Sequence, residues 1–251
     1  QSVVAIENAS LSIYQDDFIG IIGPNGGGKT TLIKAILGMI DYSGEVDFAA
    51  ELFRGSERLV GYLPQQSNFD RAFPISVLEV VMSGLQGEKG FWGRYRGAER
   101  QRAMQLLESV GIADVAEKAI GEISGGQMQR ALLCRAIISE PKLLILDEPT
   151  NFLDENHIVW LKNFLNQYEN AFILVSHDVP FLNDVVNVIY HIENCVLTRY
   201  TGNDEDFERM YALKKRQIEQ AYNKQQKEIA DLEEFVAKNK ARAATATLAR
   251  S

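Results

Sequence analysis

The sequence predicts an α/β fold with a mostly parallel sheet, and two observations favour it. Short continuous apolar runs have the length of strands that are covered on both faces, as parallel strands are; they lie at 18–22, 143–146 and 171–175. Helical periodicity fills the intervals between them, at 29–39, 98–110, 125–139 and 155–167. Because strands alternate with helices along the chain, we expect an α/β domain with a mostly parallel sheet.

A change of composition near 202–204 predicts a domain boundary. We expect one domain over 1–203, with a helical insertion at about 67–123, where helical periodicity is not interrupted by a strong strand run. The remainder, 204–251, is predicted to be a basic helical extension. Residues 213–251 contain nine Lys or Arg against five acidic residues, no Gly or Pro, and a narrow apolar stripe at helical spacing.

The composition excludes several classes of protein. The 251 residues have a net charge of −8, which argues against a chain that coats nucleic acid non-specifically. Two cysteines are too few for a disulfide scaffold. No apolar run approaches the roughly 20 residues that cross a bilayer, so we expect no integral membrane segment and a cytoplasmic location.

A glycine-rich segment follows the first apolar strand and precedes a helix. It fits the phosphate-binding pattern G-x-x-x-x-G-K-[ST], and its residues are Gly23, Pro24, Asn25, Gly26, Gly27, Gly28, Lys29, Thr30 and Thr31. Glycines allow backbone N–H groups to surround phosphate oxygens, and the start of the helix adds a positive dipole end. Lys29 is expected at the β- and γ-phosphates and the Thr30 hydroxyl at Mg²⁺. The segment therefore predicts an ATP site.

Two adjacent carboxylates, Asp147 and Glu148, end the apolar run at 143–146. Ligands of α/β proteins bind at the carboxyl ends of parallel strands, so this position favours a role in the same site. We expect Asp147 to hold Mg²⁺, directly or through water. Glu148 is expected to orient and polarise the attacking water.

Further motifs, in a fixed order, resemble those of ABC-type ATPases, a class of P-loop NTPases. Ser124, Gly125, Gly126 and Gln127 are similar to the signature sequence of that family, although Ile123 stands where Leu is commoner. Gln65 follows Tyr-Leu-Pro as the Q-loop glutamine does, and His177 occupies the place of the switch histidine. The segment Asn151–Asp154 occupies the D-loop, with Asp154 as its acidic residue.

The resemblance covers about residues 3–200 and implies an antiparallel β part beside the mostly parallel sheet. It also implies a mechanism. Gln65 would sense Mg²⁺ and the γ-phosphate, and His177 would contact the γ-phosphate. The signature of one domain would complete the ATP site of another, so we expect a second ABC domain, the same chain or a homologue, as a partner. Hydrolysis would then depend on dimerisation. The other histidines, His157 and His191, are expected to be structural.

Two subfamilies resemble different parts of the chain. Residues 1–149 are similar to ATP-binding subunits of zinc/manganese importers, which implies membrane permease subunits as partners at the inner face of the membrane. Residues 150–251 resemble ABC-F proteins with part of their interdomain linker, which implies contact with the ribosome and RNA through 204–251. Metal-cation transport is the main expectation. An ABC-F fragment and a hybrid joined near Pro149–Thr150 are the alternatives.

Overall fold

A six-stranded sheet lies at the centre of the computed structural model, which describes residues 4–55, 57–65, 74–85, 95 and 97–248. In chain order its strands are β1 (Phe18–Ile22), β4 (Val60–Leu63), β5 (Leu143–Asp147), β6 (Ala171–Val175), β7 (Val188–Glu193) and β8 (Val196–Thr201). Their order across the sheet is β4-β5-β6-β1-β7-β8, and every neighbouring pair is parallel except β7 and β8. The predicted α/β class is confirmed.

A small antiparallel pair and seven α-helices complete the described part of the chain. The pair is β2 (Phe53–Arg54) and β3 (Glu57–Arg58). The helices are α1 (Lys29–Ile36), α2 (Val77–Met82), α3 (Gly97–Ser109), α4 (Gly125–Ile137), α5 (Glu155–Asn166), α6 (Val179–Val185) and α7 (Asp204–Leu248). The first helix is shorter than the predicted 29–39, because the chain leaves it through Gly38 at φ 70°.

The core forms where the sheet packs against α1. Apolar side chains of β1, β5 and β6 such as Ile21, Ile145 and Ile173 are fully buried beside Ile33 of the helix. The strands β5 and β6 are buried at every position, as expected for parallel strands covered on both faces. This packing fixes the start of α1 against the carboxyl ends of the neighbouring strands.

The backbone separates into two units, residues 1–204 and 205–251. The described part of the predicted insertion contains α2 and α3, whereas 67–73, 86–94 and 96 lie outside the described residues. The second unit is a single helix, most of α7, with an apolar stripe that includes Ile218, Tyr222 and Leu232 and is largely exposed. No helix within the described ranges has both the length and the apolar character that a membrane span requires.

Candidate active site

Four neighbouring parallel strands bring the predicted site residues to one edge of the sheet. The glycine-rich loop follows β1, Gln65 follows β4, Asp147 and Glu148 end β5, and His177 follows β6. Because these strands are adjacent and parallel, their carboxyl ends meet at one edge. The residues there line a cavity of about 450 Å³.

The glycine-rich loop turns tightly between β1 and α1. Gly23 has φ 148°, and a Cβ at this position would lie 2.4 Å from the carbonyl oxygen of Ile192, so no other residue fits without displacing β7. Gly28 caps α1 in the left-handed conformation, and the first residues of the helix line the cavity. An anion in the cavity would therefore meet backbone amides at the positive end of a helix.

The Lys29 ammonium lies across this loop. Its Nζ donates to the carbonyl oxygens of Gly23 and Pro24, at 2.9 and 3.0 Å. Burial lowers the pKa of Lys29, and the nearby carboxylates of Glu148 and Asp147 oppose that shift. The side chain thus places a cation, held by loop carbonyls, at the wall of the cavity.

The residues Thr30 and Asp147 form the part of the site that fits a metal ion. The Thr30 hydroxyl donates to Asp147 Oδ2 at 2.9 Å. The other oxygen, Asp147 Oδ1, is buried and has no hydrogen-bond partner among the described residues. Hydroxyl and carboxylate oxygens are the ligands that Mg²⁺ prefers, and Gln65 adds an amide at the same cavity. These residues fit Mg²⁺, which when bound with ATP neutralises phosphate charge.

Burial raises the pKa of Asp147, while the hydrogen bond from Thr30 and the charges of Lys29 and Lys34 lower it. On the neighbouring strand, burial and the charge of Asp147 raise the pKa of Tyr62 to about 12. The Tyr62 hydroxyl therefore stays protonated at neutral pH beside the carboxylate.

Glu148 enters the cavity through an unusual backbone conformation. Its φ of 52° lies in the left-handed region, which is costly for a residue with a side chain. The Glu148 amide donates to the carbonyl of Val175 at 2.8 Å, which holds the turn. Its carboxylate lies 3.2 Å from His177 Nε2. Burial raises the pKa of Glu148, and His177 opposes the shift. A carboxylate with this environment is suited to accept a proton from water.

The cavity brings together most, but not all, of the residues predicted from sequence. Its lining contains Asn25, Gly26, Gly27, Gly28, Lys29, Thr30, Thr31, Gln65, Asp147, Glu148 and His177. Gly23 and Pro24 take part through their carbonyls. Asn151 and Val175 also line the cavity; the sequence placed Asn151 in the D-loop but not in this cavity, and did not assign Val175 to the site. The sequence could have indicated Asn151 as a site residue, because it follows Glu148 closely. In the structure the Asn151 amide donates to the Glu148 carbonyl at 3.2 Å, in a turn that returns the chain to the site.

The signature residues lie elsewhere, at the start of α4. Ser124 is the N-cap: its hydroxyl accepts from the Gln127 amide at 3.2 Å, and its own amide donates to Gln127 Oε1 at 3.0 Å. Ser124 and Gly125 are exposed. Neither the signature nor Asp154 belongs to the described lining of the cavity.

Comparisons with known proteins identify the family of this chain. A family model described as ABC transporter matches residues 6–151, and a second model with the same description matches 190–251. The uncharacterized ABC transporter ATP-binding protein YfmM of Bacillus subtilis is 38% identical over 97% of this chain and 52% of its own length. The chain therefore spans about half of that relative. Because one natural protein aligns on both sides of Pro149–Thr150, the hybrid hypothesis is not supported.

Other similar proteins match over most of their own length. The zinc uptake system ATP-binding protein ZurA of Listeria monocytogenes is 34% identical, over 85% of this chain and 86% of its own. A probable metal transport system ATP-binding protein of Chlamydia pneumoniae is 35% identical, over 74% and 78%.

Solved structures share the fold. A metal-chelate type ABC transporter in an inward-facing conformation has a TM-score of 0.64 at 25% identity, covering 78% of this chain and 76% of that one. A dimeric ATP-binding cassette with ADP and phosphate has a TM-score of 0.63 at 23% identity, covering 78% and 90%. Taken with the motifs and the cavity, these matches show that this chain belongs to the ABC transporter family and carries its ATP-binding cassette.

Proposed function

We propose that the chain hydrolyses ATP as one half of a dimer, with each site built from two chains. The proposal rests on the separation between the cavity and the signature turn, Ser124–Gln127, of the same chain. The phosphate loop, Asp147 and Glu148 share one cavity, whereas the signature turn is an exposed helix start outside it. A helix start with glycine amides suits a γ-phosphate presented by another chain.

Within each site the residues have distinct roles. The loop from Gly23 to Thr31 binds the phosphates, with Lys29 at the β- and γ-phosphates. Thr30, Asp147 and Gln65 hold Mg²⁺. Glu148 orients the attacking water and takes up its proton, and His177, 3.2 Å from Glu148, contacts the γ-phosphate. From the second chain come the signature turn, Ser124–Gln127, and the D-loop with Asp154.

We further propose that this ATPase is the energy-coupling subunit of a metal-cation transporter. Support comes from relatives named for zinc uptake and for metal transport, which align over most of their own length. Permease subunits in the membrane would then be the partners, and the chain would lie at the inner face of that membrane. Closure and opening of the ATPase dimer would drive the permease.

A ribosome-associated ATPase of the ABC-F type is the second candidate. The observation that favours it is α7, a 45-residue helix that is largely exposed beyond its first turns and whose sequence is net basic from 213 onward. Positive charge along an exposed helix attracts a phosphate backbone. The alignment with YfmM covers 97% of the chain and so includes most of this helix.

Sedimentation of the ATP-bound state distinguishes the two roles. The variant Glu148→Gln should retain ATP and stay closed, which prolongs contact with its partner. In lysate of the native host supplied with Mg²⁺-ATP, we expect it to sediment with membranes that contain a metal permease. Sedimentation with ribosomes, lost at high salt, would instead favour the second candidate. The matched control is Lys29→Ala, which should not bind ATP and should stay in the supernatant.

A further inference from the structure

The loop that follows Glu148 is attached to the signature helix α4 at several points. The buried side chain of Gln129 donates to the Pro149 carbonyl at 3.4 Å. Further along, the Phe152 carbonyl approaches Gly126 so closely that a Cβ there would lie 2.7 Å from the oxygen. The loop therefore follows the first turns of α4.

Arg130, the next residue of the same helix, continues this attachment. Its Nε donates to the carbonyl of Gly126 at 3.2 Å, and its Nη1 donates to the carbonyl of Val110 at 3.0 Å. The same Nη1 lies 2.6 Å from Nε2 of His157, in the first turn of α5. One guanidinium thus joins the signature turn to the helix that follows the D-loop.

His157 completes the chain of contacts to Asp154. Its Nδ1 lies 2.6 Å from Asp154 Oδ1, and its backbone amide donates to the same oxygen at 3.1 Å. Since arginine has no acceptor, Nε2 must accept from Arg130. The proton of the neutral ring is then on Nδ1 and is donated to Asp154. The hydrogen bonds from the His157 backbone and side chain lower the pKa of Asp154 and keep it a carboxylate.

We propose that neutral His157 is a positioning residue for ATP hydrolysis, bridging Arg130 and Asp154. The bridge holds the loop 148–154 at a fixed position relative to the signature turn 124–127 of the same chain. That loop carries Glu148 and Asn151 of the cavity, so a shift of the signature turn moves the water-activating carboxylate. The proposal rests on the proposed function, in which both segments serve hydrolysis, and it assigns His157 a role beyond the structural one expected from sequence.

Two substitutions separate the contacts of the ring. His157→Asn keeps a donor near the position of Nδ1 but removes the acceptor for Arg130. His157→Gln keeps an acceptor near Nε2. For His157→Asn we expect kcat for Mg²⁺-ATP to fall about tenfold with KM unchanged, the cost of one charged hydrogen bond. For His157→Gln we expect kcat close to the parent value, because the acceptor for Arg130 is kept.

The measurements are kcat and KM for Mg²⁺-ATP together with the melting temperature, using Asn163→Gln on the exposed face of α5 as the control. If His157→Asn keeps the parent kcat, the positioning role is overturned. It is also overturned if both variants lose kcat in parallel with the melting temperature, since His157→Gln should restore kcat. If the parent chain hydrolyses no ATP at any protein concentration, the proposed function itself is overturned. If the parent is active and the His157 variants match it, only the positioning role is overturned.

Discussion

At the scale of single residues, the site depends on where three side chains from distant parts of the sequence meet. Lys29, Thr30 and Asp147 were predicted to converge, and the Thr30–Asp147 hydrogen bond of 2.9 Å joins two of them. Their meeting was predictable because each follows a recognisable buried strand. The left-handed turn at Glu148 was not, because a φ of 52° is imposed by the contact of its amide with Val175 of the next strand.

Substitution of the proposed water-activating carboxylate tests the chemistry. Glu148→Gln preserves the shape of the side chain but cannot accept a proton, so kcat should fall by about 10²- to 10⁴-fold. ATP affinity, measured with a fluorescent nucleotide, should remain within a few-fold of the parent because the phosphate loop is untouched.

Glu169→Gln, an exposed carboxylate after α5, is the control and should leave turnover unchanged. Turnover by Glu148→Gln at the parent rate would show that another group activates the water.

At the scale of elements, the order of strands decides which motifs share a cavity. The runs at 143–147 and 171–175 could be recognised because strands buried on both faces are continuously apolar. Their places in the sheet are set by tertiary packing, which local patterning does not encode. For the same reason His157 was predicted to be structural: its contact with Arg130 depends on how α4 packs against α5, 27 residues away in sequence.

The close approach of the D-loop to the signature helix predicts a sharp difference between two neighbouring glycines. An alanine at 126 would place its Cβ 2.7 Å from the backbone oxygen of Phe152, whereas at 125 the nearest atom is a Phe152 ring carbon at 3.9 Å. Gly126→Ala should therefore lower the free energy of unfolding by about 1–3 kcal/mol, as overpacking does.

Gly125→Ala is the matched control and should leave the free energy of unfolding close to that of the parent in urea denaturation. Equal stability of the two variants would mean that the loop is free to move away from α4.

At the scale of the whole molecule, the proposed sharing of sites between chains would make a single chain an incomplete enzyme. Each proposed site needs the phosphate loop of one chain and Ser124–Gln127 of another, so the ATPase rate should rise faster than linearly with protein concentration below the dimerisation constant. The same geometry allows two inactive variants to complement each other.

A mixture of Lys29→Ala, which loses its own phosphate site, and Ser124→Arg, which blocks the signature turn, tests this arrangement. In an equal mixture half of the dimers are mixed, and each contains one complete site. The mixture should therefore recover about a quarter of the parent's rate at saturating concentration, while each variant alone stays inactive. A mixture no more active than its components would contradict a site shared between chains.

The contacts of the Lys29 ammonium also bear on which molecules can enter. A nucleoside or any other uncharged compound has only neutral acceptors. These are no stronger than the two carbonyl oxygens that already accept from this cation at 2.9 and 3.0 Å. Phosphate oxygens bind the ammonium more strongly, because their negative charge adds a Coulomb attraction that a neutral acceptor lacks. We therefore expect the cassette to bind phosphorylated nucleotides in preference to the free nucleoside, whatever the base.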